Sequence, residues 1–177
     1  QPEEVLVEEV ILPAAEPMNE AATLSEEDFG IAYANAQVIN FDARVDLTSY
    51  FTLYEGASIS DYTFTLTYAK GGKPFTRDIS AEVKQESNGN RYAVKIADIP
   101  VAYWDFEYVI TVTQKDSGAS YELRSSILAW AKRCITSYET KAATLSDEEL
   151  AQVNTAQVNM AKAMYYYNQA ANDYFDR

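Results

Sequence analysis

The spacing of apolar and polar residues divides the chain into a part with period two and a part with period 3.6. From about residue 39, Ile39, Phe41, Ala43, Val45 and Leu47 alternate with Asn40, Asp42, Arg44 and Asp46, which predicts a strand with one buried and one wet face. Tyr62, Phe64, Leu66 and Tyr68 alternate with Thr63, Thr65 and Thr67 in the same way. The stretch Ala69-Lys70-Gly71-Gly72-Lys73-Pro74 supplies glycines for a hairpin, after which Phe75 to Ser80 is expected to return antiparallel. Asn88-Gly89-Asn90 marks another turn before Tyr92, Val94 and Ile96. A further strand is expected through Phe106, Tyr108, Ile110 and Val112, then the turn Asp116-Ser117-Gly118 and a strand from Tyr121 to Arg124. About six or seven short strands joined by turn signals predict an antiparallel β-sandwich.

After Ser125 the period becomes helical. Ile127, Ala131, Cys134 and Tyr138, with Leu128 and Ile135 beside them, form one stripe and predict a helix over 126–138. Ser146-Asp147-Glu148-Glu149 is a capping box, so a second helix is expected to start there. Leu150, Val153, Gln157, Met160, Met164, Tyr167, Ala171 and Tyr174 recur at steps of three and four. They predict a single long helix whose seam is buried under the first helix and one sandwich face, with room for a bend between Asn154 and Gln157. The expected class is therefore α+β: an antiparallel β-sandwich over 31–124, followed by a C-terminal cluster of two or more α-helices over 125–177 packed on it.

Charge separates a third region. The formal net charge is −13, from 27 acids and 14 bases, yet residues 1–30 hold nine of the acids and no Lys or Arg. The remainder carries 18 acids against 14 bases, a net −4 that is ordinary for a folded domain. With Pro2, Pro13 and Pro17, residues 1–30 read as an acidic linker; the triplets Val5-Leu6-Val7 and Val10-Ile11-Leu12 leave an edge strand equally open. The acidic surface disfavours nucleic acid and anionic bilayers as partners. No stretch reaches the roughly 18 apolar residues of a membrane span, and the first residues lack the basic-then-apolar pattern of a signal peptide.

The chain has no histidine, and Cys134 is its one cysteine, which excludes Ser-His-Asp and Cys-His catalysis, ordinary zinc sites and an internal disulfide. Phosphate-cradling, nucleophile-elbow, dinucleotide-binding and EF-hand motifs are absent from the sequence, and no cofactor is expected. Asp42, Asp46, Asp105 and Glu107 are available as a glycosidase pair, but outward acids on strands are ordinarily just solvated, so no enzyme is expected.

The tail Met160-Ala161-Lys162-Ala163-Met164-Tyr165-Tyr166-Tyr167-Asn168-Gln169-Ala170-Ala171-Asn172-Asp173-Tyr174-Phe175 resembles the closing helix of a module found in exported, multimodular proteins of gut clostridia and ruminococci. The family pattern K-A-M-L-N-Y-G-A-A-A-Q-x-Y-F is matched by Lys162, Ala163, Met164, Tyr167, Ala170, Ala171, Tyr174 and Phe175. Tyr165, Tyr166, Asn168, Gln169 and Asn172 depart from it. In order of parts the chain is also similar to the sandwich-plus-helices starch-adherence modules of Ruminococcus amylosomes. That resemblance implies an extracellular, secreted or cell-surface protein that holds malto-oligosaccharide between sandwich and helices.

Sugar binding needs flat aromatic faces and planar polar groups, and the chain has 14 Tyr and 2 Trp. Trp104 shares the parity of Phe106 and Tyr108, so it either caps the sandwich core or, with Tyr103 and Asp105, offers a ring and an acceptor on a loop. Trp130 lies at the margin of its helical stripe. In the tyrosine triplet, Tyr167 belongs to the seam, Tyr165 shares a flank with Asn168 and Asn172, and Tyr166 shares one with Gln169 and Asp173. The candidate carbohydrate-binding residues are thus Tyr103, Trp104, Asp105, Trp130, Tyr165, Tyr166, Asn168 and Gln169. The expected function is a non-catalytic module for polysaccharide, α-glucan first. The alternative is a structural or protein-interaction spacer docked to neighbouring modules or a scaffold protein.

Overall fold

The structure is a computed structural model and describes residues 16–17, 24–32, 37–41, 44–70, 72–87 and 89–175. The triplets at 5–7 and 10–12 and the residues Asp42 and Ala43 lie outside these. The described residues form two compact units, one made of the sheets (to residue 99, and 106–125) and one of residues 100–105 and 126–175.

The sheet unit contains β1 (Glu16–Pro17), α1 (Glu26–Phe29), β2 (Ile31–Ala32), β3 (Gln37–Phe41), β4 (Val45–Leu53), β5 (Tyr62–Lys70), β6 (Lys73–Asp78), β7 (Lys84–Gln85), β8 (Arg91–Ile96), β9 (Tyr108–Gln114) and β10 (Ser120–Ser125). One antiparallel sheet runs β1-β10-β9-β5-β6; the other runs β2-β4-β8-β7, with β3 also paired to β4. The period-two residues do what their spacing dictates. Tyr62, Phe64 and Leu66 on β5, Ile110 and Val112 on β9, and Leu47, Phe51 and Leu53 on β4 are buried. The intervening threonines form an outward ladder, with Thr63 opposite Thr113 and Thr65 opposite Thr111. Phe51 of the second sheet and Phe64 of the first meet edge to face, ring centroids 5.5 Å apart.

Two strand expectations are corrected. The alternation over 39–47 is not one strand but a hairpin, since Phe41 pairs with Val45 and Ile39 with Leu47. A hairpin with even spacing between its arms keeps the parity of one strand, and no glycine or proline announces the turn. The strand expected from Phe106 begins only at Tyr108, while Trp104 closes a 3-10 turn over Val101–Tyr103, so their shared parity belongs to no strand.

Residues 24–30, at the end of the acidic leader, are part of the sheet unit together with β2. Ser25 caps α1 by accepting from the Asp28 amide at 3.1 Å, which places Glu26, Glu27 and Asp28 in the first turn, where carboxylates oppose the unpaired amides. Gly30 closes the helix at φ 83°, and a Cβ there would clash with the Tyr62 hydroxyl. That hydroxyl donates to the Phe29 carbonyl, and burial raises its pKa above the ordinary 10.0. Because the fold favours neutral Tyr62, its contribution is complete below about pH 10 and is lost as pH rises through the folded value. Urea midpoints measured from pH 8 to 11 should therefore fall at the alkaline end, and Tyr62→Phe should flatten that fall while lowering the neutral-pH midpoint. An alkaline slope equal in both proteins would refute this assignment.

The helical unit holds the 3-10 turn at Val101–Tyr103, α2 (Ile127–Ala142), α3 (Asp147–Leu150) and α4 (Ala156–Tyr174). α4 packs against α2 and the 3-10 turn. The first helix extends beyond the expected 138. The expected capping box is present, with Ser146 Oγ accepting from the Glu149 amide and Glu149 Oε2 accepting from the Ser146 amide. The single long helix is not. It stops after Leu150 and restarts at Ala156, whose amide donates to Asn154 Oδ1 at 2.9 Å. An asparagine that bonds the backbone two residues on supplies a break that neither glycine nor proline signals.

The restart also corrects the seam. The buried residues of α4 are Val158, Ala161, Met164 and Asn168, whereas Met160, Tyr167 and Tyr174 are 37%, 58% and 82% exposed. Only Met164 of the expected α4 seam is buried. No helix among the described residues is long and apolar enough to cross a membrane.

Candidate functional site

All the candidate residues lie in the helical unit. Asn168, 5% exposed, donates from Nδ2 to the Val101 carbonyl at 2.8 Å and to Asp105 Oδ1 at 3.3 Å, and its Oδ1 accepts from Asn172 Nδ2 at 3.2 Å. A buried amide of this kind must be satisfied, and here it ties α4 to the 100–105 segment. The backbone of Leu128 is held from two sides. Its amide donates to the Trp104 carbonyl at 3.0 Å and its carbonyl accepts from Tyr165 Oη at 3.0 Å. Ser126 Oγ also donates to the Trp104 carbonyl, at 3.2 Å. Trp104 itself is only 7% exposed, and Tyr103 and Trp130 are half-buried.

The structure thus separates the candidates by what their polar groups already do. Asn168, Tyr165 and one oxygen of Asp105 are spent within the unit, and burial raises the Tyr165 pKa. Tyr166 is different, because it is 69% exposed and its hydroxyl makes no bond to any described residue. At about 100° per residue, Lys162, Gln169 and Asp173 fall on its side of α4, and all three are exposed. The Tyr166 ring meets that of Tyr167 edge to face at 5.7 Å. What the sequence did not reveal is the role of the Leu128 backbone, because a peptide group carries no residue signature.

Two of the other acids considered, Asp46 and Glu107, are engaged. Asp46 accepts from the Asp98 amide at 2.9 Å and pairs with Lys95 at 3.3 Å, which together hold its carboxyl below the usual range. Glu107 pairs with Arg124 at 2.6 Å. Elsewhere in the sheet unit, Glu27, Asp28, Glu55, Asp61 and Asp116 line a cleft of about 550 Å³ with no basic residue. Among the described residues no group of three or more such side chains is arranged to hold a metal ion.

Comparison with family models, curated proteins and solved structures finds no match to this chain. Its own geometry carries the functional reading.

Proposed function

We propose that the chain is a non-catalytic carbohydrate-binding module of an extracellular, secreted or surface-attached protein, with a starch-type α-glucan as ligand. Its two antiparallel sheets are read as a sandwich, which the Phe51–Phe64 ring contact across them supports. The observation that carries the binding reading is Tyr166, an exposed ring with an amide, a carboxylate and an ammonium on the same helical flank. The ring face suits the C–H face of a pyranose, and Gln169 and Asp173 suit its hydroxyls. Tyr165 and Asn168 then serve as positioning residues, since their bonds hold α4 in place.

Affinity gel electrophoresis tests this. Migration should be retarded by soluble starch, and Tyr166→Ala should weaken retardation about tenfold, near the upper end of what one aromatic contact contributes. Unretarded migration in starch, glycogen and xylan gels would sink the proposal.

A second reading, a protein-interaction spacer, has its own support. Met160, Tyr167 and Tyr174 recur every seven residues along α4, and Phe175 lies edge to face with Tyr174 at 5.1 Å, all of them exposed. Contiguous exposed apolar surface marks contact sites. Calorimetry with the adjacent module of the parent protein decides this reading: heat that disappears in Tyr167→Ser supports it, and no heat counts against it.

A further inference from the structure

We infer that the outer face of the second sheet carries a separate groove for an uncharged oligosaccharide. The groove measures about 800 Å³, within the roughly 300–1,000 Å³ typical of ligand sites. Its shape follows from strand register. On the outward face Tyr50 stands opposite Ala93, and Ala93 in turn is opposite Lys84, so the row dips to a methyl group between two long side chains. The facing wall is the 3-10 turn Ser80–Glu82, which again presents an alanine, Ala81. That wall is fixed. The Ser80 amide donates to Asp78 Oδ1 at 2.7 Å, Ser80 Oγ accepts from the Phe64 amide at 2.9 Å, and the Glu86 amide donates to the Arg91 carbonyl at 2.8 Å.

Tyr50 is a prepared platform. The Arg91 guanidinium sits 4.1 Å from its ring centroid and holds the ring, and the half-buried ring lines the groove opposite the short side chain of Ala93. Around it, the Asn40 amide, the hydroxyls of Thr48 and Tyr50, the Lys84 ammonium and the Glu86 carboxylate line the groove. None of these side-chain polar groups makes a hydrogen bond or ion pair among the described residues. Asn168 and Tyr165 on α4 show the contrary state, with their donors already used. Unspent donors and acceptors converging on one hollow are free for a ligand rich in hydroxyls.

Charge selects the class. The lining holds two acids, Glu82 and Glu86, and two bases, Lys84 and Lys95. Glu82 is paired with Arg77, and Lys95 with Asp46. With the partners Arg77 and Asp46 and with Arg91 against Tyr50, the surroundings sum to a single positive charge, which in a chain of net charge −13 gives no strong field that would favour an ion. An extended peptide is also disfavoured, because the groove lies on a sheet face and offers side chains rather than a free ladder. What fits is a neutral chain with an apolar face for Tyr50 and hydroxyls for the rim. The ligand class is that of the proposed function, but the surface is another, so the two can fail separately.

The test is calorimetry and backbone-amide shift mapping on the full chain with maltohexaose, cellohexaose and xylohexaose, and with an oligogalacturonide as the anionic control. At least one neutral hexasaccharide should shift amides at Asn40, Thr48, Tyr50 and Lys84. Its affinity should fall tenfold or more in Tyr50→Ala and several-fold in Asn40→Ala, where an exposed side chain is removed and the fold is kept. Tyr166→Ala should leave the groove affinity unchanged. Shifts confined to α4, or loss in Tyr166→Ala alone, would overturn the groove and leave the proposed function standing. Tighter binding of the oligogalacturonide in the groove, or no shift there with any neutral hexasaccharide, would overturn it as well.

Discussion

Replacing Phe29 with alanine is expected to cost about 3–5 kcal/mol, the usual range for emptying a buried phenylalanine site. The side chain is fully buried, and its ring lies edge to face with Tyr121 at 4.4 Å and with Tyr62 at 5.5 Å. The backbone around it is tied as firmly. The Phe29 carbonyl accepts from Tyr62 Oη and from Gln114 Nε2, and the Leu24 carbonyl accepts from Tyr121 Oη at 2.6 Å. Truncation therefore opens a cavity at the point where α1 and β2 are fastened to both sheets, and domains are commonly stable by only about 5–15 kcal/mol. Thermal unfolding should shift down by about 10 °C or more. The exposed neighbour substitution Glu27→Ala should stay within about 0.5 kcal/mol of the parent. A Phe29→Ala melting point close to the parent value would show that residues 24–30 lie outside the cooperative unit.

The position of Phe29 also shows why charge alone was a poor guide to residues 24–30. Nine acids before residue 31 resemble an extended leader when only their sign is counted. Three of them occupy the first turn of α1 behind an N-cap serine. Ser25-Glu26-Glu27-Asp28 has the same form as Ser146-Asp147-Glu148-Glu149, and the second was legible only because a long apolar period followed it. A four-residue helix offers no such period.

Elsewhere parity was readable and chain reversal was not. Tyr62, Phe64 and Leu66 of β5 and Val94 and Ile96 of β8 are buried as expected, because a two-residue repeat survives any arrangement of strands with one buried side. The β3–β4 turn lacked glycine and proline, so its two arms looked like one strand. In α4 the difficulty was chemical. The row that is buried contains Asn168, a residue that hydrophobic periodicity counts as exposed, while the exposed row contains Met160, Tyr167 and Tyr174. An amide can occupy a core row when backbone carbonyls satisfy it, and that partner, Val101, lies 67 residues away in sequence. The Tyr166 flank was legible because it depends only on helical angle. The sheet groove was not, since it rests on Ala81 and Ala93, residues notable for what they leave unfilled.

Asn168→Asp should be the most damaging conservative change in the helical unit, worse than Asn168→Ala. The alanine removes the donor to the Val101 carbonyl and leaves that acceptor unpaired, at a cost of about 1–3 kcal/mol. The aspartate keeps the shape but replaces the Nδ2 donor by an anionic oxygen, pointed at the Val101 carbonyl and at Asp105 Oδ1. Both neighbours repel it, and the site is 5% exposed, so water screens little of the charge. The same forces raise the pKa of the introduced carboxyl above its unfolded value. When protonated it can donate in place of the lost amide, so the stability it retains is present at acid pH and disappears as pH rises through the raised pKa. Chemical unfolding followed by helical circular dichroism at pH 4.5 and 7.5 should show the gap between Asn168→Asp and the parent protein widening at the higher pH. The gap for Asn168→Ala should stay nearly constant. Equal gaps for both variants at both pH values would mean that Asn168 is not the bracket between α4 and residues 101–105, and that another contact holds the helix there.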